Sequence, residues 1–307
     1  MKENFNYPST NKRTNIKASQ WIPDNEPKAI LQIVHGMVEF IDRYDGFASY
    51  LNQQDILVVG HDHLGHGESV NHESEWGYFA KEESADILVE DVESLRKITA
   101  EKYPELPYFI LGHSMGSFVT RNYLLKHSES IDGVIICGTG QNPLIQLKSA
   151  KILTRTLAQF RGWRHRSKLI DKLAFGGMNR QFEPARTTSD WLTRDEEIVD
   201  FYNHEPRCQF IFTLNGYETL FDLCIKMQDK EKLSLMRKDL PVLFIAGDKD
   251  PVGKNGQYIH DVVSDFNEVL SQPAEWILYP DYRHEILNEI GKEQVYHDVS
   301  EWITKQL

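Results

Sequence analysis

The hydrophobic positions of the chain are concentrated in six short runs. They comprise Ala29–Val34, Ile56–Gly60, Tyr108–Leu111, Gly133–Cys137, Val242–Ala246 and Glu275–Tyr279. The runs are rich in Ile, Val, Leu and Phe and do not alternate with polar residues, which is typical of strands buried on both faces of a parallel sheet. We therefore predict that the six runs are core strands.

Helical patterns lie between most of these runs. The clearest are Ser84–Ala100, Gly116–Lys126, Tyr258–Leu270 and Lys292–Gln306. Strands that alternate with helices predict an α/β fold with a mostly parallel, doubly wound sheet. Ligands bind outside the carboxyl ends of the strands in such sheets, so the segments that follow the runs are candidate site segments.

The alternation stops between Pro143 and Lys238. This segment contains helical and loop patterns but no run comparable to the six predicted strands. We interpret residues 143–238 as an inserted, mainly helical cap, and residues 1–142 and 239–307 as the core of the α/β fold.

Composition and charge narrow the classes of function. The 307 residues carry a net charge of −12, which argues against a nucleic-acid-binding protein, because such proteins neutralise phosphates with clustered Lys and Arg. No apolar run has the length of a signal-peptide core or of a membrane span, so we expect a cytoplasmic protein. Cys137, Cys208 and Cys224 lack Cys-x-x-Cys spacing and are interpreted as buried thiols.

The segment Gly112-His113-Ser114-Met115-Gly116 follows a predicted strand and precedes a predicted helix. In this context, Gly-x-Ser-x-Gly presents a nucleophilic serine at a sharp strand-to-helix turn. Gly112 and Gly116 leave room around the turn, and the helix directs its first N–H groups, including that of Met115, toward a developing oxyanion. Ser114 is therefore the candidate nucleophile.

A serine nucleophile needs a base, and the base is usually oriented by an acid that precedes it in chains of this fold. Asp248 and Asp250 both follow the fifth run. Pro251 biases Asp250 toward an extended backbone in the loop, whereas Asp248, next to Gly247, is suited to shaping the turn. We favour Asp250 over Asp248 as the acid.

His284 is the candidate base. It lies in the loop after the last predicted strand, just ahead of a helix, where an imidazole can point back at Ser114. His260 and His297 fall within predicted helices and are interpreted as surface residues.

The loop after the first run provides a candidate second oxyanion donor. Gly36 permits a close approach of the backbone, so that the N–H of Met37 can oppose that of Met115. Each such donor contributes about 3 kcal/mol to transition-state stabilisation.

Five segments together resemble those of α/β-hydrolases of the monoacylglycerol lipase and lysophospholipase type, which are related to serine aminopeptidase-like hydrolases. They are HGMVEFIDRY, DHLGHGES, GHSMGS, GDKDPVG and RHEILNE. The resemblance implies Ser114 as nucleophile, Asp250 as acid, His284 as base and the amides of Met37 and Met115 as the oxyanion hole. It implies no metal and no organic cofactor.

Two positions depart from the pattern of that family. Phe40 and Leu64 stand where its members commonly carry His and Arg. Both lie outside the candidate triad, so they bear on substrate preference rather than on catalysis.

Two other motifs suggest different chemistry but are incomplete. His61, His63 and His66 approximate the ligands of dinuclear zinc hydrolases, but Gly65 occupies the Asp position and no downstream ligand set follows. The segment GTGQNP resembles the start of a dinucleotide-binding loop without its third glycine. We therefore expect neither a metal nor a nicotinamide cofactor.

The stretch Leu144–Lys172 is strongly basic, with eight Lys or Arg against one Asp. On a helical wheel its apolar face consists of Ile145, Ile152, Leu153, Leu157 and Phe160, and another face carries Lys148, Lys151 and Arg155. We interpret the stretch as a cap helix that packs its apolar face on the core. The alternative is a helix that contacts an anionic membrane surface.

The sequence thus predicts a serine hydrolase that cleaves carboxylic esters with an apolar acyl chain, on a small lipid-like substrate similar to monoacylglycerol or lysophospholipid. The same site suits a thioesterase, an acyltransferase or an aminopeptidase. A peptidase would need acidic cap residues to bind a free amine, and those available are Glu183, Asp190, Asp195, Glu196 and Glu197. A binding protein without turnover is a third alternative, against which the complete set of catalytic residues argues.

Overall fold

Eight strands form one sheet in the computed structural model, which describes all residues 1–307. The strands are β1 (Lys2–Pro8), β2 (Asn15–Trp21), β3 (Ala29–Val34), β4 (Ile56–His61), β5 (Tyr108–His113), β6 (Gly133–Cys137), β7 (Val242–Gly247) and β8 (Glu275–Tyr279). Their order is β1-β2-β4-β3-β5-β6-β7-β8, and the six strands from β4 to β8 in this order are parallel. The predicted fold class is confirmed.

The first two strands, which the apolar runs did not predict, form an antiparallel edge of the sheet. β2 buries polar side chains, and each of them has a partner. Lys17 Nζ donates a hydrogen bond to Asp42 Oδ1 at 2.8 Å, and Ser19 Oγ donates one to Asn4 Oδ1 at 2.8 Å. Because polar residues fill these buried positions, the hydrophobic pattern begins only at β3.

Ten helices accompany the sheet. They are α1 (Asp45–Asn52), α2 (Ser84–Lys102), α3 (Met115–His127), α4 (Leu144–Arg161), α5 (Lys168–Phe175), α6 (Glu196–His204), α7 (Leu214–Lys226), α8 (Lys230–Leu233), α9 (Gln257–Asn267) and α10 (Lys292–Lys305). The four helices predicted from the sequence correspond to α2, α3, α9 and α10. None of the ten combines the length and apolar content needed to cross a bilayer.

Alternate residues of the core strands face two separate hydrophobic cores. On one face of the sheet, Ile110 and Val134 pack with α2, α3 and α9, and on the other, Phe109 and Ile135 pack with α1 and α10. Complete burial of such a side chain contributes about 1.5–3 kcal/mol. Burial on both faces explains why these strands show no alternation in the sequence.

The segment between β6 and β7, where the sequence predicts the cap, contains α4 to α8 and no strand. Within it, α4 packs along α7. Arg166 joins this segment to the loop that follows β4. Its guanidinium donates hydrogen bonds to the carbonyl oxygens of Trp76 at 2.7 Å and Ser74 at 3.2 Å.

Helix α4 does not bury the face that the helical wheel predicted. Leu147, Thr154 and Ala158 are buried, whereas the side chains of Ile152 and Phe160 are 67% and 80% exposed. Leu153 and Leu157 of the predicted apolar face are partly buried against the core, so the interpretation that this face packs on the core was wrong for Ile145, Ile152 and Phe160.

Ion pairs explain the orientation of α4. Lys151 contacts both Asp222 and Glu218 of α7, and Arg155 Nη2 lies 2.7 Å from Glu218 Oε1. Lys151 and Arg155 of α4 thus face α7. Large apolar side chains remain on the outer side of the cap.

Candidate active site

Ser114 lies at the junction of β5 and α3 in a backbone conformation that few side chains adopt. Its φ is +54° and its ψ is −121°. Strained conformations of this kind persist where the surrounding structure enforces them. Here the backbone N–H of Ser114 donates to the carbonyl oxygen of Cys137 at 3.0 Å, and Ser117 Oγ donates to the carbonyl oxygen of Ser114 at 2.5 Å.

The two glycines beside Ser114 are required by close packing. A Cβ on Gly116 would lie 1.9 Å from the carbonyl oxygen of Val34, and a Cβ on Gly112 would lie 2.3 Å from Thr120 Oγ1. Neither glycine has a positive φ. The tight approach of α3 to β3 and β5, rather than backbone freedom, therefore explains the glycines of the motif.

The loop after β3 approaches Ser114 through Gly36. A Cβ on Gly36 would lie 3.1 Å from Ser114 Cβ and 2.6 Å from Glu39 Oε1, so this approach requires glycine. Met37 follows in the same loop, and Met115 occupies the first position of α3. Since the first N–H groups of a helix have no acceptor within it, the amide of Met115 is free to bind an oxyanion.

Asp250 and His284 form a buried hydrogen-bonded pair. His284 Nδ1 lies 2.9 Å from Asp250 Oδ1, which also accepts the backbone N–H of Val252 at 2.9 Å. Asp248 instead accepts the backbone N–H of Asp281 at 2.7 Å and so joins two loops. The structure thus brings Asp250, and not Asp248, to His284.

A cavity of about 1380 Å³ connects these groups. Ser114, His284, Met37 and Met115 all line it. In this structure no hydrogen bond joins Ser114 Oγ to His284. The imidazole of His284 is hydrogen-bonded to Asp250. Catalytic hydrogen bonds are often long or poorly aligned before substrate binds, so the absence of this hydrogen bond is compatible with proton transfer in the substrate complex.

The other candidate histidines lie away from the cavity. His260 packs edge-on against the exposed Trp276, with ring centres 4.8 Å apart. His297 is exposed on α10, 3.9 Å from Glu301. Neither lines the cavity that contains Ser114.

The segment between β6 and β7, the predicted cap, supplies much of the cavity wall, and slightly more than half of the lining residues are hydrophobic. Of the 45 residues that line the cavity, 24 are hydrophobic, and they include Leu147, Leu153, Ile170, Phe175, Leu220 and Phe221. Ligand pockets for small molecules typically measure about 300–1000 Å³. This cavity is larger, and its apolar wall suits an extended hydrocarbon chain.

A buried network of charged side chains, which the sequence analysis did not identify, joins three loops of the site. Glu39 Oε2 accepts a hydrogen bond from Arg43 at 2.9 Å, and Arg43 binds both carboxylate oxygens of Glu285 at 2.8 and 2.6 Å. Glu39 Oε1 lies 3.2 Å from His113 Nδ1 and accepts the backbone N–H of Gly36. The network therefore links the Gly36 loop, the residue before Ser114 and the residue after His284.

The charges in this network support one another. Burial by itself would raise the pKa of Glu39, but the hydrogen bond with His113 and the charge of Arg43 hold that pKa well below its usual range. Burial would lower the pKa of His113, but the hydrogen bond and charge of Glu39 outweigh it and raise that pKa. The only sequence signal for these residues was their place within the segments that carry the family resemblance.

Histidines from two loops fasten the Gly36 loop. The backbone N–H of His63 donates to His35 Nε2 at 2.9 Å, and His63 Nε2 lies 3.0 Å from the carbonyl oxygen of His35. His61 and His66 are buried beside them, and burial lowers the pKa of all four, to about 4 for His63 and about 3 for His66. These side chains are not arranged as a metal site. They instead stack and pack as neutral rings.

Residues 190–194 of the cap, which we call the cap strap, lie on the loop that carries His284. The backbone N–H of Glu285 donates to the carbonyl oxygen of Leu192 at 2.7 Å, and that of His284 donates to Trp191 at 3.4 Å. The indole of Trp191 lies against the imidazole of His284, with ring centres 5.0 Å apart. Nothing in the sequence signalled this contact, because it joins residues almost a hundred positions apart.

The remaining residues that the sequence singled out pack in or near the site. A Cβ on Gly138, in the segment GTGQNP, would lie 3.3 Å from His284 Cε1, so this segment packs on the candidate base. The three cysteines are free and buried, and burial raises the pKa of Cys208 and Cys224 to about 12. Phe40, one of the departures from the family pattern, is buried beneath the guanidinium of Arg207.

Comparison with known proteins identifies relatives over almost the whole chain. Residues 25–291 match the serine aminopeptidase S33 family. The chain is 26% identical to the monoglyceride lipase of Rattus norvegicus over 299 residues, which is 94% of this chain and 86% of that protein. It is also 26% identical to the monoacylglycerol lipase of Mycolicibacterium smegmatis, over 94% of this chain and 92% of that protein.

Solved structures show the same architecture. A thermostable carboxyl esterase from Bacillus coagulans, solved in complex with glycerol, is 27% identical with a TM-score of 0.92, covering 99% of this chain and 98% of the esterase. A monoglyceride lipase from Saccharomyces cerevisiae, solved with a substrate analogue, is 20% identical with a TM-score of 0.77, covering 99% of this chain and 94% of that one. The second likeness concerns the fold alone.

Proposed function

The chain belongs to the serine aminopeptidase S33 family of α/β-hydrolases, and we propose that it cleaves carboxylic esters with an apolar acyl chain through Ser114, His284 and Asp250. The observation that carries the proposal is the buried Asp250–His284 pair in a cavity that Ser114 also lines. The strained turn at Ser114 and the close approach of the Gly36 loop support it further.

The mechanism follows from these positions. His284, oriented by Asp250, accepts the proton of Ser114 Oγ as this oxygen attacks the ester carbonyl. The amides of Met37 and Met115 stabilise the oxyanion of the tetrahedral intermediate. The alcohol then leaves with a proton from His284, and water, deprotonated by the same imidazole, hydrolyses the acyl-enzyme to release the acid. All protons pass through His284, so the proposed cycle requires no cofactor.

A fluorophosphonate probe tests the nucleophile. We expect it to label the native protein at Ser114 and to leave the Ser114→Ala protein unlabelled. Ser114→Ala and His284→Ala should each reduce ester hydrolysis by about 10⁶-fold, and the double variant by no more, because the residues act as a unit. Ser128→Ala, at a buried serine outside the cavity, serves as the control and should keep full activity. Substantial hydrolysis by Ser114→Ala would exclude the mechanism.

The apolar cavity supports a lipid-like substrate, similar to monoacylglycerol or lysophospholipid. The hydrophobic wall from α4, α5 and α7 can bury an acyl chain, and each buried CH₂ contributes about 0.8 kcal/mol. A series of p-nitrophenyl esters, assayed beside monoacylglycerol and lysophospholipid, tests this preference. We expect kcat/KM to rise with acyl length until the cavity is filled, whereas a preference for acetate would contradict the proposal.

A peptidase function has less support. Among the five acidic cap residues that could bind a free amine, only Glu183 lines the cavity. Asp190 accepts hydrogen bonds from the backbone of Arg186 and Thr187, and Asp195 caps the first turn of α6. The same nucleophile would serve a thioesterase or acyltransferase, so thioester and aminoacyl amide substrates belong in the assay above.

We also propose that the outer side of the cap contacts an anionic membrane surface. Seven exposed apolar side chains, which we call the outer cap face, come from this one region. They are Leu144, Ile145, Ile152, Phe160, Trp163, Leu169 and Leu173. Exposed basic residues without a carboxylate partner lie in the same region, namely Lys148, Arg161, Lys168 and Lys172. An apolar face flanked by basic side chains is typical of interfacial binding.

The outer cap face is also continuous with the cavity, because Leu173 is both exposed and part of the cavity wall. Leu173 therefore places an edge of the outer cap face at the cavity that Ser114 lines.

Vesicle co-sedimentation tests the membrane contact. We expect binding to vesicles that contain phosphatidylglycerol, weaker binding to pure phosphatidylcholine, and a decrease with salt. The Ile152→Ser/Phe160→Ser variant should lose binding, whereas the control Leu235→Ser, at an exposed leucine outside the outer cap face, should retain it. Binding that is equal in all these conditions and variants would contradict the proposal.

A further inference from the structure

Two aromatic rings flank the imidazole of His284. The indole of Trp191, from the cap strap, lies with its centre 5.0 Å from the centre of the imidazole and its plane inclined by 35°. The imidazole of His113, at the end of β5, lies at the same distance with an inclination of 40°. The candidate base is thus held between a side chain of the core and a side chain of the cap.

Several hydrogen bonds fix Trp191 in this position. Its backbone N–H donates to Asn179 Oδ1 at 2.8 Å, and its carbonyl oxygen accepts the N–H of His284. Arg283 donates to the carbonyl oxygens of Asp190 and Thr193 on either side of it. These bonds fix the backbone of Trp191 relative to the loop that carries His284, so the indole extends toward the imidazole from a fixed position.

The contact has an electrostatic consequence during catalysis. The face of an indole carries negative electron density and attracts a cation whose centre lies within about 6 Å of the ring centre. As the proposed base, His284 becomes an imidazolium when it accepts the proton of Ser114. Because His284 is buried, this attraction is stronger than it would be at the surface.

We propose that Trp191 is a positioning residue that stabilises the imidazolium form of His284, so that the cap helps to set the basicity of the catalytic centre. The inference rests on the proposed function, in which His284 is the base. It assigns to the cap strap a role in the chemical step, in addition to enclosing the substrate.

Other charges also face His284, and they act from different elements. Asp250, from the loop after β7, favours the imidazolium through its hydrogen bond. Burial would lower the pKa of His113, but the carboxylate of Glu39 raises it. A protonated His113 opposes a second positive charge on His284. The remaining charged side chains of these loops form ion pairs with each other, Glu285 with Arg43 and Arg194 with Glu289. Trp191 and Asp250 thus act in the same direction, against His113.

Fluorinated tryptophan separates this electrostatic role from packing. Successive fluorine atoms on the indole withdraw electron density from its face while its shape changes little. We would introduce mono-, di- and trifluorotryptophan site-specifically at position 191 and measure kcat/KM for a p-nitrophenyl ester against pH. Trifluorotryptophan at Trp76, which stacks on Phe210 and does not line the cavity, provides the matched control.

We expect a graded change in two observables. The plateau of kcat/KM should fall with each fluorine, by about 3- to 30-fold over the series, and the acidic limb of the profile should move to lower pH. Both follow from a less stable imidazolium, which makes His284 a weaker base and delays its protonation. Trp191→Leu should produce the full effect. A fall in rate with an unmoved acidic limb, or with no dependence on fluorine number, would overturn the inference.

A second measurement keeps the inference separate from the proposed function. The NMR titration of the His284 imidazole in the Ser114→Ala protein does not depend on activity, and its midpoint should move to lower pH with Trp191→Leu. If the native protein hydrolyses no ester, the proposed function fails while this titration still reports on Trp191. If Ser114 is labelled and active but the midpoint is unchanged, the inference alone fails.

Discussion

Asp248 and Asp250 show how the backbone selects between two identical side chains. They lie two residues apart in one loop, yet only Asp250 reaches His284. Asp248 is used instead to hold Asp281. The position of Pro251 favoured Asp250 over Asp248 as the acid. The structure places Asp250 next to His284.

Asparagine substitutions at these two positions should have very different effects on catalysis. Asp250→Asn should reduce kcat/KM by about 10⁴-fold, because an amide stabilises neither the required tautomer of His284 nor its imidazolium. Asp248→Asn should change kcat/KM by less than about tenfold, since an asparagine oxygen can still accept the N–H of Asp281. Steady-state kinetics, normalised by fluorophosphonate titration of active sites, give both values. Equal losses would remove the proposed acid role from Asp250.

The sequence does not reveal that Glu39, Arg43 and His113 belong to one network. Each is an ordinary charged or titratable residue in the sequence, and all three stand in segments that resemble the family. Only their mutual distances show that they form one buried network. The sequence could not supply these distances, because the partner Glu285 comes from the far end of the chain.

At the scale of elements, α4 shows that an apolar stripe does not always identify the buried side of a helix. Hydrophobic burial favours packing of the large side chains on the core. In this helix, however, Lys151 and Arg155 form ion pairs with α7, and Ile152 and Phe160 point outward. The partner helix thus determined the orientation, and α7 is seventy residues away in the sequence.

Aspartate substitutions on the two sides of α4 test this orientation. Thr154→Asp should reduce the free energy of unfolding by more than about 3 kcal/mol, because it buries a charge without a partner. Ile152→Asp places the same residue on the exposed side and should change the free energy by about 0.5 kcal/mol or less. Urea denaturation at neutral pH measures both. A larger loss for Ile152→Asp would show that the predicted apolar face is the buried one.

At the scale of the whole molecule, the buried histidines make stability depend on pH. The imidazole of His66 takes up a proton near pH 6.5 in the unfolded chain, but burial lowers its pKa in the folded protein to about 3. Between these values the unfolded state binds more protons, so stability falls as the pH decreases below about 6.5. His35, His61 and His63 act in the same direction. Burial raises the pKa of Asp62 and Asp91 to about 6, which partly opposes this trend.

Replacing His66 by phenylalanine should weaken this dependence. Its ring already packs among Phe79, Phe210 and Phe212, so an apolar ring suits the site. The loss in unfolding free energy between pH 7.5 and pH 5 should be about 2 kcal/mol smaller in His66→Phe than in the native protein. Urea denaturation at the two pH values measures the difference. The control His297→Gln, at an exposed histidine, should leave the change in unfolding free energy between the two pH values as it is in the native protein. If that change is also the same in His66→Phe, buried His66 does not contribute to the pH dependence of stability.

The sequence by itself determined the parts of this protein that depend on local pattern. Runs of apolar residues identified the six core strands, and Gly-x-Ser-x-Gly between a strand and a helix marked the turn at Ser114. Chain order at the strand ends gave Asp250 and His284, because parallel strands bring their carboxyl ends to one edge. Each of these features depends either on a few neighbouring residues or on the place of a segment at the end of a strand.

Only the tertiary structure decided the parts that depend on distant partners. The polar strand β2, the outward face of α4, the network of Glu39 with His113 and the contact of Trp191 with His284 all join segments far apart in the chain. Their energies come from burial and from charges brought within a few ångströms, and neither quantity exists until the chain has folded. The local sequence therefore predicted the candidate catalytic groups, whereas the fold determined the surroundings that hold them.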